Sequence, residues 1–541
     1  MVRDDGFFWN PHRIGLLSWN RPLTLTEACT NAFPGEKNKM TSKPCVLAPC
    51  VCAVLLFGAS APADEPGDGS ILSRTQLRLE WDDIDSASAY EIQLGIATVD
   101  PFSDPLVSTT TTDSRLLITD GLEFGFNYRW RYRPVLPDGS GLWSDTRSFA
   151  IKNVPLDFQL EVEVQQNGNS AEPGITIFNY CSAVVGYDTD GTLVLHTETP
   201  TRLSDCKVID GGRLLYVGGG RAWILSLDGD ILWASPDDDL LTVHHSASMM
   251  PSGNVLMVTN EYRDVTQDGA TRSWRGDRIV EMDPATNEIV WSWSTFDHFD
   301  TDDYDVFQNN HWNDWTHVND ARYVESDNSI YISVRHLSRV TRIDYDTGDI
   351  VYNLGMDMPS GDVDAGDDLF SYQHFPTILE NGNMLLFDNG NRRGGEPAGS
   401  GSKSFAVELA LGDLPLEQAE IAWAWQTPIY CPSTGSAQRL ANGNTLVTAT
   451  HLTGVYEVDT SGTQVWSLSM VQTQNCPGLR PGYRAVRVPN LYLDNQSICA
   501  SDLTGDRKVN VEDLLTVIAG WGELYSVSDL LGVIQDWGDC D

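Results

Sequence analysis

Short runs of apolar residues, rich in β-branched and aromatic side chains, recur along the middle of the chain and are separated by turn residues. The turn and the strand that follows it read GGRLLYV, SGNVLMV, DNSIYIS, NGNMLLF and NGNTLVT in successive copies. A second apolar run and an acidic turn leading to tryptophan often follow, as in EVDTSGTQVW. This pattern predicts β-hairpins joined in series, because β-branched and aromatic residues favour strands and Gly-Asn or Asp-Gly pairs favour tight turns.

The repeat predicts an all-β fold, a six-bladed β-propeller over residues 157–492. A sixth copy lies around YCSAVVGYDTDGTLVLHTE, and the uneven spacings fall in the range of propeller repeats with insertions. A two-sheet sandwich would account for the strands but not for the recurring blade sequence. The equivalent turn positions are Gly212, Gly253, Asn328, Gly382 and Gly443.

Three histidines stand at nearly the same place in this repeat. His245 and His374 each precede the turn glycine by eight residues, and His317 lies slightly further from its turn. Equivalent side chains in successive copies point at a common axis, so we expect the three imidazoles to form a site, although a lone strand histidine is usually structural. Histidines without this register are interpreted as structural or peripheral, namely His244, His298, His311, His336 and His451.

The length of the chain bears on the number of domains, and its net charge bears on the partners it can bind. A chain of 541 residues is too long for one ordinary core, so several domains are expected. The formal net charge of −41 argues against nucleic acid and anionic membranes as partners. It leaves anionic small substrates open, because a propeller channel can be locally cationic.

The leader, residues 1–63, contains the apolar segment VLAPCVCAVLLFGASAPADE after Lys43. Its length and its Ala-Pro-Ala ending predict a secretory signal peptide and not a membrane span, with Met40 as the better start. We therefore expect an exported protein that is periplasmic, on the cell surface or extracellular.

Six cysteines follow the leader, and an even number in an exported chain indicates disulfides. Pairing of neighbours in sequence would join Cys181 to Cys206, Cys431 to Cys476, and Cys499 to Cys540. The sequence alone leaves all 15 pairings open.

Residues 64–153 form a separate β-sandwich unit. LRLEWDDIDSASAYEIQLG predicts a strand with Trp81 and another with Tyr90, and FNYRWRYRPVLPDGSGLWSDTRSFAI predicts two more. These segments resemble a fibronectin type III domain, a module that usually acts as a spacer or docking surface.

The C-terminal residues, 499–541, carry a small α-helical repeat. VNVEDLLTVIAGWG and YSVSDLLGVIQDWG are two copies sixteen residues apart. The loop before the first copy has oxygen ligands at EF-hand-like spacing, which suits a structural Ca²⁺. It resembles a dockerin-type module, which implies a cohesin-like protein partner, although Arg507 replaces the usual glycine. The candidate calcium ligands are Asp502, Thr504, Asp506, the Lys508 carbonyl, Asn510 and Asp513.

The repeat region resembles the bacterial aryl-sulfate sulfotransferase family in HHSASMMPSGN, DWTHVNDARYVESDNSIYISVR and FSYQHFPTILENGNMLLFDNGNRR. The resemblance implies that His374 is the nucleophile that becomes sulfated. It also implies site roles for His317 and Asn319 of the H-x-N pair, for Arg335 of the S-x-R segment, and for His245. One departure is Phe375, where the family usually has aspartate.

The implied reaction is sulfuryl transfer from a small phenolic sulfate to a phenol, independent of the nucleotide donor PAPS and without a catalytic cofactor. A neutral imidazole is a competent nucleophile, and arginine, histidine and amide donors suit the charge of a loose transition state. Two other functions remain open: a non-catalytic cell-surface binding propeller, and a metal- or quinone-dependent propeller enzyme with the histidines as ligands.

Overall fold

The computed structural model describes residues 64–493, except 157, 159, 169, 394–398, 400, 450–453 and 474–481, and also 508–509, 511–519 and 538–539. The regular secondary structure of the described residues is almost entirely β-strand, as the sequence predicts. None of the helices within these ranges is long and apolar enough to cross a membrane.

The N-terminal strands form two sheets around one core. The first sheet has the order β1-β3-β6 and the second β2-β9-β7-β4-β5, with β8 paired to β7. Trp81, Tyr90 and Trp130 are buried in the shared core, as expected for alternating strands that face it. The strands are β1 (Asp64–Glu65), β2 (Ser70–Leu72), β3 (Leu77–Trp81), β4 (Ala89–Ile96), β5 (Val107–Thr111), β6 (Arg115–Ile118), β7 (Asn127–Leu136), β8 (Gly139–Ser140) and β9 (Arg147–Ile151).

The repeat region forms consecutive sheets of four or five antiparallel strands. Short helical segments lie between some of them: α1 (Thr295–His298) and 3₁₀ turns at Asp239–Leu241, His311–Asn313 and Glu325–Asp327. The strands are β10 (Leu160–Gln166), β11 (Ile175–Tyr180), β12 (Ala183–Tyr187), β13 (Leu193–Glu198), β14 (Leu203–Ile209), β15 (Arg213–Gly218), β16 (Arg221–Ser226), β17 (Ile231–Ala234), β18 (Val243–Met249), β19 (Val255–Gln267), β20 (Ala270–Met282), β21 (Ile289–Ser294), β22 (Val318–Val324), β23 (Ser329–Val334), β24 (Arg339–Asp344), β25 (Ile350–Gly355), β26 (His374–Ile378), β27 (Met384–Asp388), β28 (Phe405–Leu411), β29 (Ala419–Gln426), β30 (Ser436–Arg439), β31 (Thr445–Ala449), β32 (Gly454–Val458), β33 (Gln464–Thr473) and β34 (Ala485–Val488).

The two ends of the repeat region are joined by strand pairing. β34 pairs with β11, with Val486 opposite Ile177, and β10 pairs with β33, with Val164 opposite Leu468. We call β14, β18, β22, β26, β30 and β34 the leading strands, because each forms one edge of its sheet. The leading strands β14, β18, β22, β26 and β30 each contact the next one in the series, which brings residues of different sheets together.

The turns that the repeat predicted after the leading strands adopt the left-handed backbone. Gly253, Gly382 and Gly443 have φ near 85°, a region that glycine enters without steric cost. Asn328 takes the equivalent place with φ of 48°, which asparagine tolerates. The 3₁₀ turn Glu325–Asp327 precedes it, and this insertion explains why His317 lies further from its turn than the other two histidines.

The predicted disulfides Cys181–Cys206 and Cys431–Cys476 are wrong. Cys206 is a buried thiol on β14, packed in an apolar cluster with Leu203 and Tyr216, so it is not available to Cys181. Cys431 also keeps its thiol, whose Sγ lies 3.1 Å from the carbonyl oxygen of Ser433. Cys181 itself is disulfide-bonded. The predicted pair Cys499–Cys540 lies outside the described residues.

The C-terminal residues are described only in part. α2 (Val511–Ala519) lies in the first copy of the helical repeat, and β35 (Lys508–Val509) pairs with β36 (Gly538–Asp539). Of the candidate calcium ligands, the backbone of Lys508 and of Asp513 lies in these elements, while Asp502, Thr504, Asp506 and Asn510 lie outside the described residues, as does the leader.

Candidate active site

The three repeat histidines lie at the N-terminal ends of three leading strands. His245 is on β18, His317 immediately precedes β22, and His374 opens β26. At each place the pairing with the next strand is interrupted by a register shift. Such bulges re-aim side chains, and His245 and His317 also have positive φ values of 57° and 51°. This backbone is unfavourable for a residue with a side chain and is often found at functional sites.

These strand ends bring the imidazoles into one cluster. The ring centroids of His245 and His317 are 4.5 Å apart. Tyr483, which precedes β34, lies between the other pair: its ring centroid is 6.1 Å from that of His245 and 6.0 Å from that of His374. Four side chains, on four different leading strands or in the residues just before them, therefore form one aromatic cluster.

His374 is held as a neutral imidazole. It is buried, and its Nδ1 lies 2.6 Å from Oδ1 of Asn389. Burial, together with the positive charge of Arg335, lowers the pKa of His374 to about 3. At neutral pH the ring therefore carries no charge and keeps one nitrogen lone pair, which a nucleophile needs.

His317 is oriented by a carboxylate. Its Nδ1 lies 2.7 Å from Oδ2 of Asp314, and the other oxygen of Asp314 pairs with Arg275 at 2.8 Å. Burial and the neighbouring positive groups lower the pKa of His317 well below its usual value. The result is a neutral imidazole whose Nδ1 is held by a carboxylate and whose Nε2 keeps its lone pair.

Two histidines that the sequence left as structural or peripheral belong to the same cluster. The ring of His336 stacks on that of His317 at 4.5 Å, and its Nδ1 lies 2.6 Å from the carbonyl oxygen of Asp314. Nδ1 of His244 lies 2.7 Å from Nδ1 of His245. The repeat register did not select them, because each lies one or more residues outside the equivalent position. His298 and His311 lie elsewhere, against Trp293 and Tyr304, and His451 is outside the described residues.

Arg335 places a positive charge beside the histidines. Its guanidinium stacks on the ring of Tyr372 at 4.3 Å, and its Nη2 donates to the carbonyl oxygen of Pro432 at 3.1 Å. Its Nε is buried without a hydrogen-bond partner, and no carboxylate among the described residues forms an ion pair with it. A guanidinium in this state favours an anion, because charge removed from water needs a partner.

Asn319 connects two leading strands. Its side chain is fully buried, and its Nδ2 donates to the carbonyl oxygen of Gln373 at 2.8 Å. This bond fixes the residue before His374 and so positions the histidine. The bond uses one of the two N–H donors of the Asn319 amide, and the assignment of this amide to charge stabilisation stays a prediction.

Phe375 packs against two guanidinium groups. The centroid of its ring lies 3.8 Å from Cζ of Arg322 and 4.6 Å from Cζ of Arg484. Asp320 supplies the carboxylate that both arginines need, at 2.7 Å and 3.0 Å. The aromatic ring is therefore accommodated by cation–π contacts where the resembling family usually has an acid.

A cavity of about 530 Å³ opens beside the cluster. This volume is in the range of small-molecule sites. It is lined by His244, His245, Ser433, Thr434, Tyr483, the backbone of Gly218–Gly220 and neighbouring residues of β14 and β15.

One group of side chains in the described part of the chain has metal-ligand spacing. The ligand atoms of Asp314, His317 and His336 all lie within 4.8 Å of one another. Both Nδ1 atoms already contact Asp314, so the group is satisfied as a hydrogen-bonded cluster.

Sequence reasoning missed Asp314, Asn389 and Tyr483. The first two have weak local signals: Asp314 precedes His317 by three residues in DWTH, and Asn389 follows a strand in LFDNG. Tyr483 has no such signal, because strand closure brings it to the cluster from the far end of the region.

Solved structures overlap this chain only loosely. A protein of unknown function from Bacteroides caccae is 13% identical, covering 55% of this chain and 94% of its own, with a TM-score of 0.37. A streptogramin B lyase is 12% identical, with 58% and 89% covered and a TM-score of 0.34. The Cps50 (Swd1) beta-propeller domain of Myceliophteria thermophila is 11% identical, with 59% and 90% covered and a TM-score of 0.33. TM-scores this low do not establish a common fold.

Among curated proteins, none matches the chain. A family model described as Arylsulfotransferase (ASST) matches residues 160–475, which is more than half of the chain and includes the whole histidine cluster except Tyr483. The chain belongs to the arylsulfotransferase family.

Proposed function

We propose that the protein transfers a sulfuryl group from an aryl sulfate to a phenolic acceptor, without PAPS, through a covalent intermediate on His374. The observation that carries this proposal is a neutral, oriented imidazole beside a guanidinium that lacks a carboxylate partner among the described residues. Membership in the arylsulfotransferase family supports sulfotransferase activity at the level of the family.

The hydrogen-bond network assigns the reactive nitrogen of His374. Nδ2 of Asn389 donates to the carbonyl oxygens of Cys431 and Thr434, at 2.7 Å and 2.9 Å. An amide group that donates through its nitrogen must accept through Oδ1, so Nδ1 of His374 carries the proton. The lone pair therefore lies on Nε2, which is the nucleophile of the proposal.

The donor half-reaction forms a bond between Nε2 and sulfur. The bond from sulfur to the phenolic oxygen breaks, and its electron pair leaves on the phenolate, which takes a proton from water. In the acceptor half-reaction the phenol gives its proton to Nε2 of His317, and its oxygen attacks sulfur. The N–S pair then returns to His374, and His317 releases its proton to the hydroxide left by the first step.

Arg335 is the group that holds the sulfuryl oxygens in this proposal. Negative charge accumulates on these oxygens in a loose transition state, as in phosphoryl transfer. A guanidinium fork matches a tetrahedral oxyanion, and stacking on Tyr372 limits the freedom of the fork.

The test is turnover with 4-nitrophenyl sulfate as donor and phenol as acceptor. Incubation with the donor alone should leave one acid-labile sulfuryl group on the peptide that contains His374. His374→Asn should fold normally and lose both the label and the turnover, while His298→Asn, at an exposed histidine outside the cluster, serves as the matched control. Near-normal turnover in His374→Asn would make the assignment wrong.

The metal-dependent alternative has one observation in its favour, the spacing of Asp314, His317 and His336. Elemental analysis of the purified protein separates it from the proposal. A stoichiometric transition metal whose removal abolishes turnover would favour the alternative. No observation on the described residues, apart from the fold, favours a non-catalytic binding propeller.

We propose that the repeat region is a six-bladed β-propeller, with the site at one end of the leading strands. The support is that six sheets between β10 and β34 each have one leading strand, and that pairing of β34 with β11 closes the series. The two N-terminal sheets support a fibronectin type III-like module. We propose that the C-terminal residues form a dockerin-like calcium module with a cohesin-like partner. We also propose that the whole protein is exported.

A further inference from the structure

One buried carboxylate lies outside the histidine cluster but is bonded to residues that contact it. Asp305 lies in the segment between α1 and β22. Its Oδ1 accepts from the backbone nitrogen of Phe307 at 2.9 Å, and its Oδ2 accepts from the hydroxyl group of Tyr372. Both oxygens also accept from the guanidinium of Arg392, whose Nη2 lies 2.7 Å from Oδ2. The proposed reaction gives this carboxylate no role.

Tyr372 connects Asp305 to the arginine of the proposed site. Its ring is buried and stacks on the guanidinium of Arg335, with 4.3 Å between Cζ and the ring centroid. Cζ of Arg392 lies 4.8 Å from the same centroid. Tyr372 has a left-handed backbone, with φ of 58°, two residues before His374. Such a backbone costs free energy in a residue with a side chain, so the surrounding contacts must hold it there.

The two arginines differ in charge balance, although both contact one ring. Arg392 is paired with Asp305, whereas Arg335 has no ion-pair partner among the described residues. Burial lowers the pKa of Arg335, and the positive charge of Arg392 adds to this effect, so the two guanidinium groups are close enough to repel each other. An anion that enters the site therefore meets one free cation and one neutralised cation.

Asp305 is ionised at neutral pH, which this balance requires. Burial alone would raise the pKa of Asp305. The hydrogen bonds from Arg392 and Tyr372 outweigh the effect of burial and lower the pKa below its usual value.

We infer that Asp305 is a positioning residue for sulfuryl transfer, which neutralises Arg392 and holds the ring of Tyr372 against Arg335. The sulfuryl group of the donor is thereby directed to Arg335, beside His374, and not to Arg392. This inference rests on the proposed function. Asp305 exchanges no proton in the reaction and touches none of the reacting atoms.

Asp305→Asn tests the charge with little change in size. The amide keeps one acceptor oxygen, but its NH₂ group cannot accept from Nη2 of Arg392. Arg392 then becomes a second cation that can bind the donor's sulfate group in an unproductive position, which lowers kcat and KM together. Both should fall roughly tenfold for 4-nitrophenyl sulfate with phenol in excess, the size expected for one hydrogen bond to a charged group. Inorganic sulfate should inhibit this variant at a roughly tenfold lower concentration.

Removal of Arg392 should act in the opposite direction. Arg392→Gln leaves the carboxylate of Asp305 without its counter-charge near Arg335, so the KM for the anionic donor should rise and sulfate should inhibit less. The double variant, Asp305→Asn with Arg392→Gln, has no unbalanced charge at this place, so kcat and KM should return most of the way to the wild-type values. A residue that only stabilises the fold would give neither the opposite signs nor this rescue.

Asp297→Asn is the matched control. Asp297 lies in α1, at the start of the same segment, and pairs with Arg263 at 2.5 Å outside the histidine cluster. Loss of this ion pair should leave kcat, the donor KM and the inhibition by sulfate unchanged.

Two results would overturn the inference and leave the proposed function standing, provided that the wild-type protein is active and His374→Asn is not. The first is a wild-type kcat and donor KM in Asp305→Asn, and the second is a loss of kcat in Asp305→Asn that Arg392→Gln does not reverse. If Asp305→Asn does not fold, Arg392→Gln decides alone, since an unchanged or lower donor KM in that variant contradicts the charge balance. A wild-type protein that transfers no sulfuryl group from any aryl sulfate tested would refute the proposed function and this inference with it.

Discussion

Nδ1 of His374 lies 2.6 Å from Oδ1 of Asn389, across the hairpin that joins β26 and β27. The relationship is defined by chemistry as well as distance, because the two protons of the Asn389 amide are committed to the carbonyl oxygens of Cys431 and Thr434. Asn389 can therefore only accept from the imidazole. One neutral side chain thus fixes both the tautomer and the ring orientation of the proposed nucleophile.

Replacement of Asn389 tests this relationship. Asn389→Ala should lower kcat by about 10- to 100-fold, by analogy with the loss of a partner that orients a metal-ligating histidine. Asn389→Asp keeps the acceptor but sets a carboxylate oxygen against the carbonyl oxygens of Cys431 and Thr434, so it should not recover the rate. Steady-state kinetics with an aryl sulfate measures both, with circular dichroism as the control for folding. Equal rates in the alanine variant and the wild-type protein would show that the bond does not orient a reacting group.

Arg335→Lys separates charge from shape at the anion site. Lysine keeps the positive charge but loses the planar fork and the stacking on Tyr372, so kcat/KM should fall roughly tenfold or more. Arg278→Lys is the matched control, since Arg278 bonds Ser292 outside the site. Full activity in Arg335→Ala would remove Arg335 from the mechanism.

The burial of His336 predicts that the folded protein loses stability as the pH falls. Burial, with a contribution from Arg335, lowers the pKa of His336 to about 4 from its ordinary 6.5. Between these values the unfolded chain binds a proton that the folded protein does not, so the free energy of unfolding falls as pH decreases through this window. Across this window the His336 imidazole lowers the free energy of unfolding by about 1.4 kcal/mol per pH unit, which sums to at most roughly 3 kcal/mol.

His336→Asn removes the titrating ring and keeps an N–H donor for the carbonyl oxygen of Asp314. Urea unfolding from pH 7 to pH 4 should therefore show a shallower loss of stability in this variant than in the wild-type protein. Parallel curves for the two proteins would mean that His336 is protonated equally in the folded and unfolded states.

The repeat made the β-strands of the central region and the turns between them predictable from the sequence. Each turn glycine marks the connection after a leading strand, and Asn328 replaces glycine where the backbone is left-handed. A repeat also implies that equivalent residues meet, which is how His245 and His317 come to lie 4.5 Å apart. Local patterns of this kind need no knowledge of which sheets are neighbours.

The parts that the sequence did not predict depend on contacts between distant residues. Tyr483 reaches the cluster because β34 pairs with β11, some 300 residues earlier in the chain. Two of the predicted cysteine pairs were wrong, and spacing did not reveal it: Cys206 on β14 keeps a buried thiol, although Cys181 lies only 25 residues earlier, in the turn between β11 and β12. Phe375 is explained by its contacts with Arg322 and Arg484, which come from a different strand and a different sheet.

The proposed calcium loop gives a prediction that is independent of the histidine cluster. Asp502, Asp506 and Asp513 bring negative charges together, which repel one another unless a cation neutralises them. In the full-length protein, calcium should protect the C-terminal residues from limited proteolysis, and a chelator should expose them. Asp506→Ala should be cleaved even with calcium present, whereas Asp536→Ala, in the second copy without the ligand run, should behave as the wild-type protein.

Sulfuryl transfer should not change in any of these samples, because the histidine cluster is built by the leading strands and not by the C-terminal residues. Cleavage that is the same with calcium and with chelator would rule out a calcium-stabilised loop. A large loss of turnover on chelation would instead point to a metal at Asp314, His317 and His336. That outcome would contradict the metal-free reaction, because a His317 that binds a cation through Nδ1 carries its own proton on Nε2 and could not accept another there.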